Sequence, residues 1–413
     1  MVLPGKIDVG YPTTWQGTYS SRFELGKRGI GCVSEIGRKF EKKLSDRATQ
    51  GLERRLPVVC EDSDTINLAD NDYLGLAHHP DVKEAAKQAI DEFGCSASAS
   101  PLITGFGKAH FALQERLLDW YDADSVMIWN SGFAANQALF SLVPDRGDRI
   151  FADRQIHHSV VSGLLRSKAD FRRFPHLNHA RLEELLRQRQ NSQGTDFVVT
   201  ESVFSMDGDS PDLMSMADLK DRYGFTWIVD EAHALGWYGE RGAGLLEQKG
   251  ILKRVDAIVG TLGKALGSQG AFIIFKNDAW RRYLMNFSGP FIYSTFLAPA
   301  SAAAAVKAIE ITSQLSKERV VWRNESSHFR KGLRKAGWKV PSGDSPIVPL
   351  VLGHARQAIA MSDRLKTGGV HAGMIREPTV PVGSSRLRFS LKTGFDYTSL
   401  LERIISLMGE PES

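Results

Sequence analysis

The chain of 413 residues, 42% hydrophobic and 24% charged, is long enough for one large domain plus a smaller one and has the proportions of a globular protein. A formal charge of +4 without a Lys/Arg tract argues against nucleic acid as a partner, and the lack of an apolar run of about eighteen residues argues against membrane insertion. Cys32, Cys60 and Cys95 are too few and too scattered for a disulfide framework or a metal site, which fits a reducing, cytoplasmic setting.

In chain order, residues 1–75 read as an N-terminal arm with one helix. Residues 1–60 carry eleven Lys or Arg against six acids. The arm is therefore either a seat for an anion or a solvated basic face such as Arg38-Lys39-Phe40-Glu41-Lys42-Lys43, and Arg54 and Arg55 belong to the same choice. A large domain is expected over 76–315. It opens with helical patterns at Pro80–Glu92 and Lys108–Trp120, then alternates apolar, β-branched runs with helix-length segments. Strands are expected at Ser125–Trp129, Arg149–Ala152, Phe171–Phe174, Phe197–Thr200, Thr226–Val229, Ala257–Gly260 and Ala271–Phe275, with helices such as Ala180–Gln190 and Met214–Tyr223 between them. That rhythm predicts an α/β fold, a central mostly parallel sheet covered by helices. Helices at Ala300–Leu315 and Val320–Ala336 lead into a smaller C-terminal α+β domain over 316–413.

In such a sheet ligands bind beyond the carboxyl ends of the strands, so the residues just past each run carry the functional signal. Thr226-Trp-Ile-Val-Asp230-Glu-Ala-His233 ends a strand in an acid, with a histidine three residues on; an acid there serves equally well as a helix cap. Ala257-Ile-Val-Gly-Thr261-Leu-Gly-Lys264 sets a lysine among small and apolar residues, where desolvation frees an amine able to form a Schiff base. Trp129-Asn-Ser131-Gly132-Phe133 is a small-residue turn opening a helix, with free N–H groups suited to a phosphate. Phe151-Ala-Asp153-Arg-Gln-Ile-His157-His158 places a histidine past another strand. Together these are a phosphate cradle, a ring that stacks, an acid for a pyridine nitrogen and a lysine.

These segments, with Asn71-Asp-Tyr-Leu-Gly-Leu, Ser131-Gly-Phe-Ala-Ala-Asn-Gln, Thr200-Glu-Ser-Val-Phe-Ser-Met-Asp-Gly-Asp, Ile292-Tyr-Ser-Thr and Ile375-Arg-Glu-Pro-Thr-Val-Pro-Val-Gly-Ser-Ser-Arg-Leu-Arg, run in order over roughly residues 65–405. In that order they resemble the α-oxoamine synthases among the fold-type I PLP-dependent transferases. The resemblance implies pyridoxal 5′-phosphate (PLP) as cofactor and a homodimer with its active site at the subunit interface. It implies an acyltransferase that condenses a small amino acid, with loss of CO2, onto an acyl thioester carried by CoA or an acyl carrier protein. Residue by residue, it implies Lys264 as the Schiff-base lysine that later moves the α-proton, Asp230 on the pyridine nitrogen, His157 stacked on the ring, and His233 with Ser205 at the phenolic oxygen. Ser131, Gly132, Phe133 and Thr261 would surround the phosphate, joined by Ser294 and Thr295 of the partner subunit. Asn71 and Arg388 would hold the amino-acid carboxylate, while Arg386 reads as a salt-bridge residue and His158 as a structural neighbour.

Arg376-Glu-Pro-Thr379-Val-Pro-Val-Gly383 is similar to a segment of the 8-amino-7-oxononanoate synthase branch. That likeness implies L-alanine and a pimeloyl thioester as substrates in biotin synthesis, with Thr379 near the acyl group. Ser96-Ala-Ser-Ala-Ser-Pro101-Leu102 departs from the family's Gly-rich loop and, like Gly242-Ala-Gly-Leu-Leu, resembles autoinducer synthases, which implies another acyl chain. A 2-amino-3-ketobutyrate CoA ligase type of chemistry belongs to the same alternative. Aminotransferases and Cβ–Cγ lyases share the acid, lysine and phosphate turn but differ in product, and a regulatory PLP-binding protein would not require Asp230, His233 and Lys264 intact.

Overall fold

The computed structural model describes residues 34–54, 56, 65–188 and 193–411. The arm through residue 33, Arg55, Cys32 and Cys60 lie outside the described residues. The chain divides into two units, residues 1–58 and 59–413. The described part of the first is a helix, Glu35–Thr49, capped by Ser34, whose hydroxyl accepts the Gly37 N–H at 3.2 Å. Ile36, Phe40 and Leu44 recur at four-residue spacing along it and are exposed.

Two sheets organise the second unit. Its strands are β1 (Ile66–Leu68), β2 (Val126–Trp129), β3 (Arg149–Asp153), β4 (Asp170–Phe174), β5 (Asp196–Glu201), β6 (Thr226–Asp230), β7 (Ala257–Thr261), β8 (Ala271–Phe275), β9 (Ile347–Gly353), β10 (Val370–Ile375) and β11 (Ser385–Ser390). The larger sheet has seven strands in the order β2-β8-β7-β6-β5-β3-β4. Its neighbours pair in parallel except at β8, which is antiparallel to both β2 and β7. β2 and β8 are buried along their whole length, which is why they read as unbroken apolar runs rather than alternating patterns. Four strands run one residue further than their apolar patterns predict, to Asp153, Glu201, Asp230 and Thr261. Ladder hydrogen bonds continue past the point where apolarity stops, and the added residues are polar groups at the edge where the parallel strands end.

Helices cover this sheet. Asp212 starts Leu213–Tyr223 by accepting the N–H groups of Met214 and Ser215 at 3.1 Å, and Gly224 at φ 68° ends it. The Ala-rich helix Pro299–Ser313 packs on Pro80–Phe93 and Lys108–Tyr121. After Gln314 and Leu315 a new helix, Ser316–Lys335, begins. No described helix is long and apolar enough to cross a membrane.

The smaller sheet has the order β1-β10-β11-β9, with β1 parallel to β10 and the other pairs antiparallel. Its strand β1 comes from the segment read as the N-terminal arm, because three residues are too few to show a strand period. Side chains tie this sheet to the loops of the larger one. Buried Arg330 donates to the carbonyls of Ser345 and Ile347 at 3.0 and 2.5 Å, and the Ser345 hydroxyl donates to the Gly208 carbonyl at 2.5 Å. Gly208 has φ 64°, and a Cβ there would meet the Ile347 carbonyl oxygen at 2.1 Å, so glycine is required at this joint.

Between β3 and the loop after β5, His176 donates to Asp153 at 2.8 Å and to Asp209 at 3.0 Å. Burial opposes its protonation, but the two hydrogen-bonded carboxylates outweigh it and raise the imidazole pKa to about 10. A pKa raised by folding contributes stability that is complete below the unfolded value of about 6.5 and is lost as pH rises through the folded one. The melting-temperature difference between wild type and His176→Gln is therefore expected to be greatest near pH 6 and to shrink steadily towards pH 10. A difference that is flat over this range removes the imidazolium from the account.

Candidate active site

The carboxyl ends of β3, β5, β6 and β7 lie at one edge of the larger sheet, and the residues singled out in the sequence follow them directly. His157 follows β3, Ser205 follows β5, Asp230 and His233 end and follow β6, and Thr261 and Lys264 end and follow β7. Asn71 and Arg388 enter from the segment after β1 and from β11.

A hydrogen-bond chain joins the last two residues to Lys264, and its direction is set at one end. Arg388 is donor-only and bonds Asn71 Oδ1 at 2.8 Å, so that atom is an acceptor. Tyr73 must then donate its hydroxyl proton to the same oxygen, at 3.1 Å. The Tyr73 oxygen, 2.7 Å from His233 Nδ1, accepts the proton carried there. Burial, and then the charge of Lys264, push the His233 imidazole well below its usual range, so it is neutral and has one N–H. Its Nε2 is left as a lone pair facing Lys264 Nζ at 2.8 Å. Burial brings the Lys264 pKa down to about 8 although Asp230 and Glu201 oppose it, and Arg388 assists the fall. The amine therefore reaches its nucleophilic form near neutral pH.

A second network surrounds Asp230. Its two carboxylate oxygens accept Asn136 Nδ2 and the Ala232 N–H, each at 2.9 Å. Asn136 also donates to Ser159 Oγ at 3.1 Å, and Ser159 presents both its hydroxyl, at 2.7 Å, and its N–H, at 3.2 Å, to His157 Nδ1. A ring nitrogen that accepts a backbone N–H carries no proton, so His157 bears its hydrogen on Nε2 and is neutral. Its ring is exposed.

Arg388 also donates to the Ser205 carbonyl at 3.0 Å, while its buried Nε has no hydrogen-bond partner. Among the described residues no carboxylate pairs with it. Arg386 instead donates to Asp207 and to the Met206 and Ser384 carbonyls, the salt-bridge part expected for it. Ser131 caps the helix Gly132–Leu142 by accepting the Ala134 N–H at 3.2 Å. Gly132 has open space where a side chain would be, its nearest neighbour being the Ala271 Cβ at 4.0 Å. Phe133 is exposed rather than core, with His158 as a ring neighbour at 6.4 Å. The Thr261 hydroxyl donates to the Gly270 carbonyl at 3.2 Å. Ser294 and Thr295 lie, within their own chain, next to the turn after β2, where the Thr295 carbonyl accepts Asn130 Nδ2 at 2.6 Å. Thr379 is exposed in the turn after β10, with its N–H on the Arg376 carbonyl. Tyr73, Asn136, Ser159 and Glu201 carry no sequence expectation; only their contacts reveal them.

The donor set suits a phosphorylated pyridine aldehyde. An amine with a depressed pKa, a carboxylate held on two donors, a neutral imidazole and an open helix start meet at one sheet edge, and Arg388, without a carboxylate partner among the described residues, supplies a cation for a further anion.

A family model described as aminotransferase class I and II matches residues 63–404. The 8-amino-7-oxononanoate synthase of Geotalea daltonii is 39% identical over 349 residues, 84% of this chain and 88% of that protein. Among solved structures, a serine palmitoyltransferase from S. paucimobilis with bound PLP-myriocin superposes with a TM-score of 0.84 at 25% identity, over 91% of this chain and 98% of its own. The 8-amino-7-oxononanoate synthase from Francisella tularensis gives 0.72 at 26% identity, over 84% and 97%.

Removing the Tyr73 hydroxyl leaves the buried His233 N–H without an acceptor, which costs about 1–3 kcal/mol. Tyr73→Phe is expected to lower the unfolding free energy in urea by that amount, and an unchanged midpoint would remove Tyr73 from the chain.

Proposed function

The chain belongs to the α-oxoamine synthases within the class I and II aminotransferase family, and from that membership we propose that it joins L-alanine to a pimeloyl thioester. Family membership makes it a PLP-dependent acyltransferase. The alanine and pimeloyl assignments rest on relatives 37–39% identical that carry the name 8-amino-7-oxononanoate synthase, and on the segment Arg376–Gly383. The product would be an α-amino ketone for biotin synthesis.

The observation that carries the reading is the unbroken chain from Arg388 through Asn71, Tyr73 and His233 to Lys264. It brings a cation suited to a carboxylate within one network of an amine suited to a carbonyl. PLP, when bound, supplies an electrophilic aldehyde carbon and a ring that draws electrons from the amino acid's Cα. Lys264 would hold the aldehyde, Asp230 the ring nitrogen, His157 the ring face, and His233 and Ser205 the phenolic oxygen. Ser131, Gly132, Phe133 and Thr261 would hold the phosphate, with Ser294 and Thr295 of the partner subunit in a homodimer.

Arg388 and Asn71 would bind the alanine carboxylate, Arg388 with the planar fork that carboxylates match. Lys264 Nζ, once displaced, would take the α-proton. The Cα then bonds to the acyl carbonyl carbon, the C–S bond breaks to release the thiol, and the Cα–carboxylate bond breaks to release CO2. Lys264 would return a proton to Cα. Thr379 is assigned to the acyl side.

A second reading, a different acyl chain, is favoured by the loop Ser96–Gly105. Ser98 there adopts φ 57°, a conformation that glycine takes without strain, and Leu102 and Ile103 are exposed beside it. A thiol-release assay over a matrix of CoA- and carrier-bound acyl groups with alanine, glycine and serine separates the two. Fastest turnover with alanine and the pimeloyl thioester, with one CO2 per thiol, is expected; preference for another chain length selects the second reading, and a keto-acid product overturns both.

Because Lys264 titrates at about 8, the rate at which cofactor-free protein captures PLP is expected to rise about tenfold per pH unit below 8 and to level off above it. Absorbance follows the capture, and Lys264→Ala is expected to show none of the change. A rate independent of pH between 6 and 9 would exclude the free amine as the reacting group.

A further inference from the structure

We infer that Glu201 is a positioning residue for the reaction, holding His157 in place over the cofactor position through its backbone amide; the inference rests on the PLP reading above. Glu201 is the last residue of β5 and is only 3% exposed. Its Oε1 accepts the His157 N–H at 2.6 Å, and the Ser205 backbone bears on the same carboxyl group electrostatically. The side chain at the end of β5 thus fastens the loop after β3 whose imidazole is assigned to the ring face. In-register pairing of β5 with β6 sets Glu201 opposite Asp230, so the same residue lies beside the acid assigned to the pyridine nitrogen.

The contacts close into a circuit. Asp230 leads to Asn136, Asn136 to Ser159, Ser159 to His157 Nδ1, and the His157 backbone to Glu201, next to Asp230 on the neighbouring strand. Ser159 orients the imidazole and Glu201 anchors the main chain that carries it, so both the tilt and the height of the ring are specified. Burial, with the charge of Asp230, holds the Glu201 carboxyl well above its usual range.

The test compares wild type, Glu201→Gln and Glu201→Ala, each alone and with His157→Asn. Hydrogen exchange at the His157 amide in cofactor-free protein, the absorption band and Kd of bound PLP, and kcat and KM for thiol release are the readouts. Glutamine keeps the acceptor oxygen, and values within about threefold of wild type are expected. Alanine is expected to speed exchange at the His157 amide, shift the band, weaken PLP binding and lower kcat, each by about tenfold or more where a rate or affinity is read, with KM for the acyl thioester unchanged. In the His157→Asn background the alanine effect on kcat is expected to shrink to about twofold, the coupling of residues that act as one unit. Glutamine as damaging as alanine, or alanine and His157→Asn effects that multiply in full, overturns the inference. If alanine does not fold, glutamine and the amide exchange decide the matter. Failure of wild type to bind PLP overturns the cofactor reading itself and is seen before any variant is compared.

Discussion

A guanidinium cannot accept a hydrogen bond, and from that single constraint the polarity of the whole site follows. Arg388 makes Asn71 Oδ1 an acceptor, Tyr73 a donor to it, His233 a donor to Tyr73, and the far nitrogen of His233 a lone pair for Lys264. The chain draws on both sheets: Arg388 stands on β11, Asn71 and Tyr73 follow β1, and His233 and Lys264 follow β6 and β7. The arrangement at the amine therefore depends on the smaller sheet being seated against the larger one. The buried joint of Arg330, Ser345 and Gly208 supplies that seat, on the same loop that carries Ser205.

Burial does two kinds of work here. It lowers the pKa of Lys264 and of His233, because a cation loses water it cannot replace, and it raises that of Glu201 for the converse reason. His176 shows the limit of the effect: two carboxylates in hydrogen-bond contact reverse what burial alone would do. Its position between Asp153, four residues before His157, and Asp209, four after Ser205, makes it a counterpart to the fastening at Glu201. The loops after β3 and β5 are thus joined twice, once by an ion pair and once by a buried acid.

The sheet, its parallel sense and the strand-end positions of His157, Asp230, His233 and Lys264 were legible because each lies within a few residues of an apolar run whose period speaks for itself. Asn71 and Arg388 were reached through family likeness. What stayed hidden has a common cause. Tyr73 meets His233 across 160 positions and Asn136 meets Asp230 across 94, distances at which no local pattern can speak. Glu201 was read as the residue past a strand, since apolarity ends at Thr200 while the ladder runs on. β1 was read as part of an arm because its partner, β10, lies some three hundred residues away. Phe133, placed at the phosphate by family likeness, is exposed near the start of its helix.

Asp230 and Glu201 are both acids at the ends of adjacent parallel strands, yet their surroundings differ in kind. Asp230 has donors on both oxygens, one of them the amide of Asn136, a side chain with no other charge to satisfy. Glu201 faces backbone N–H groups in a nearly closed pocket, beside a carboxylate that repels a second negative charge. Two neighbouring carboxyls whose environments diverge take different roles, one able to balance a cation and the other able to hold the backbone. Both carboxyls favour the ammonium form of Lys264, and burial of the amine outweighs them. The burial of Glu201 beside Asp230 and the depressed pKa of Lys264 therefore belong to one electrostatic arrangement, which the register of β5 against β6 sets.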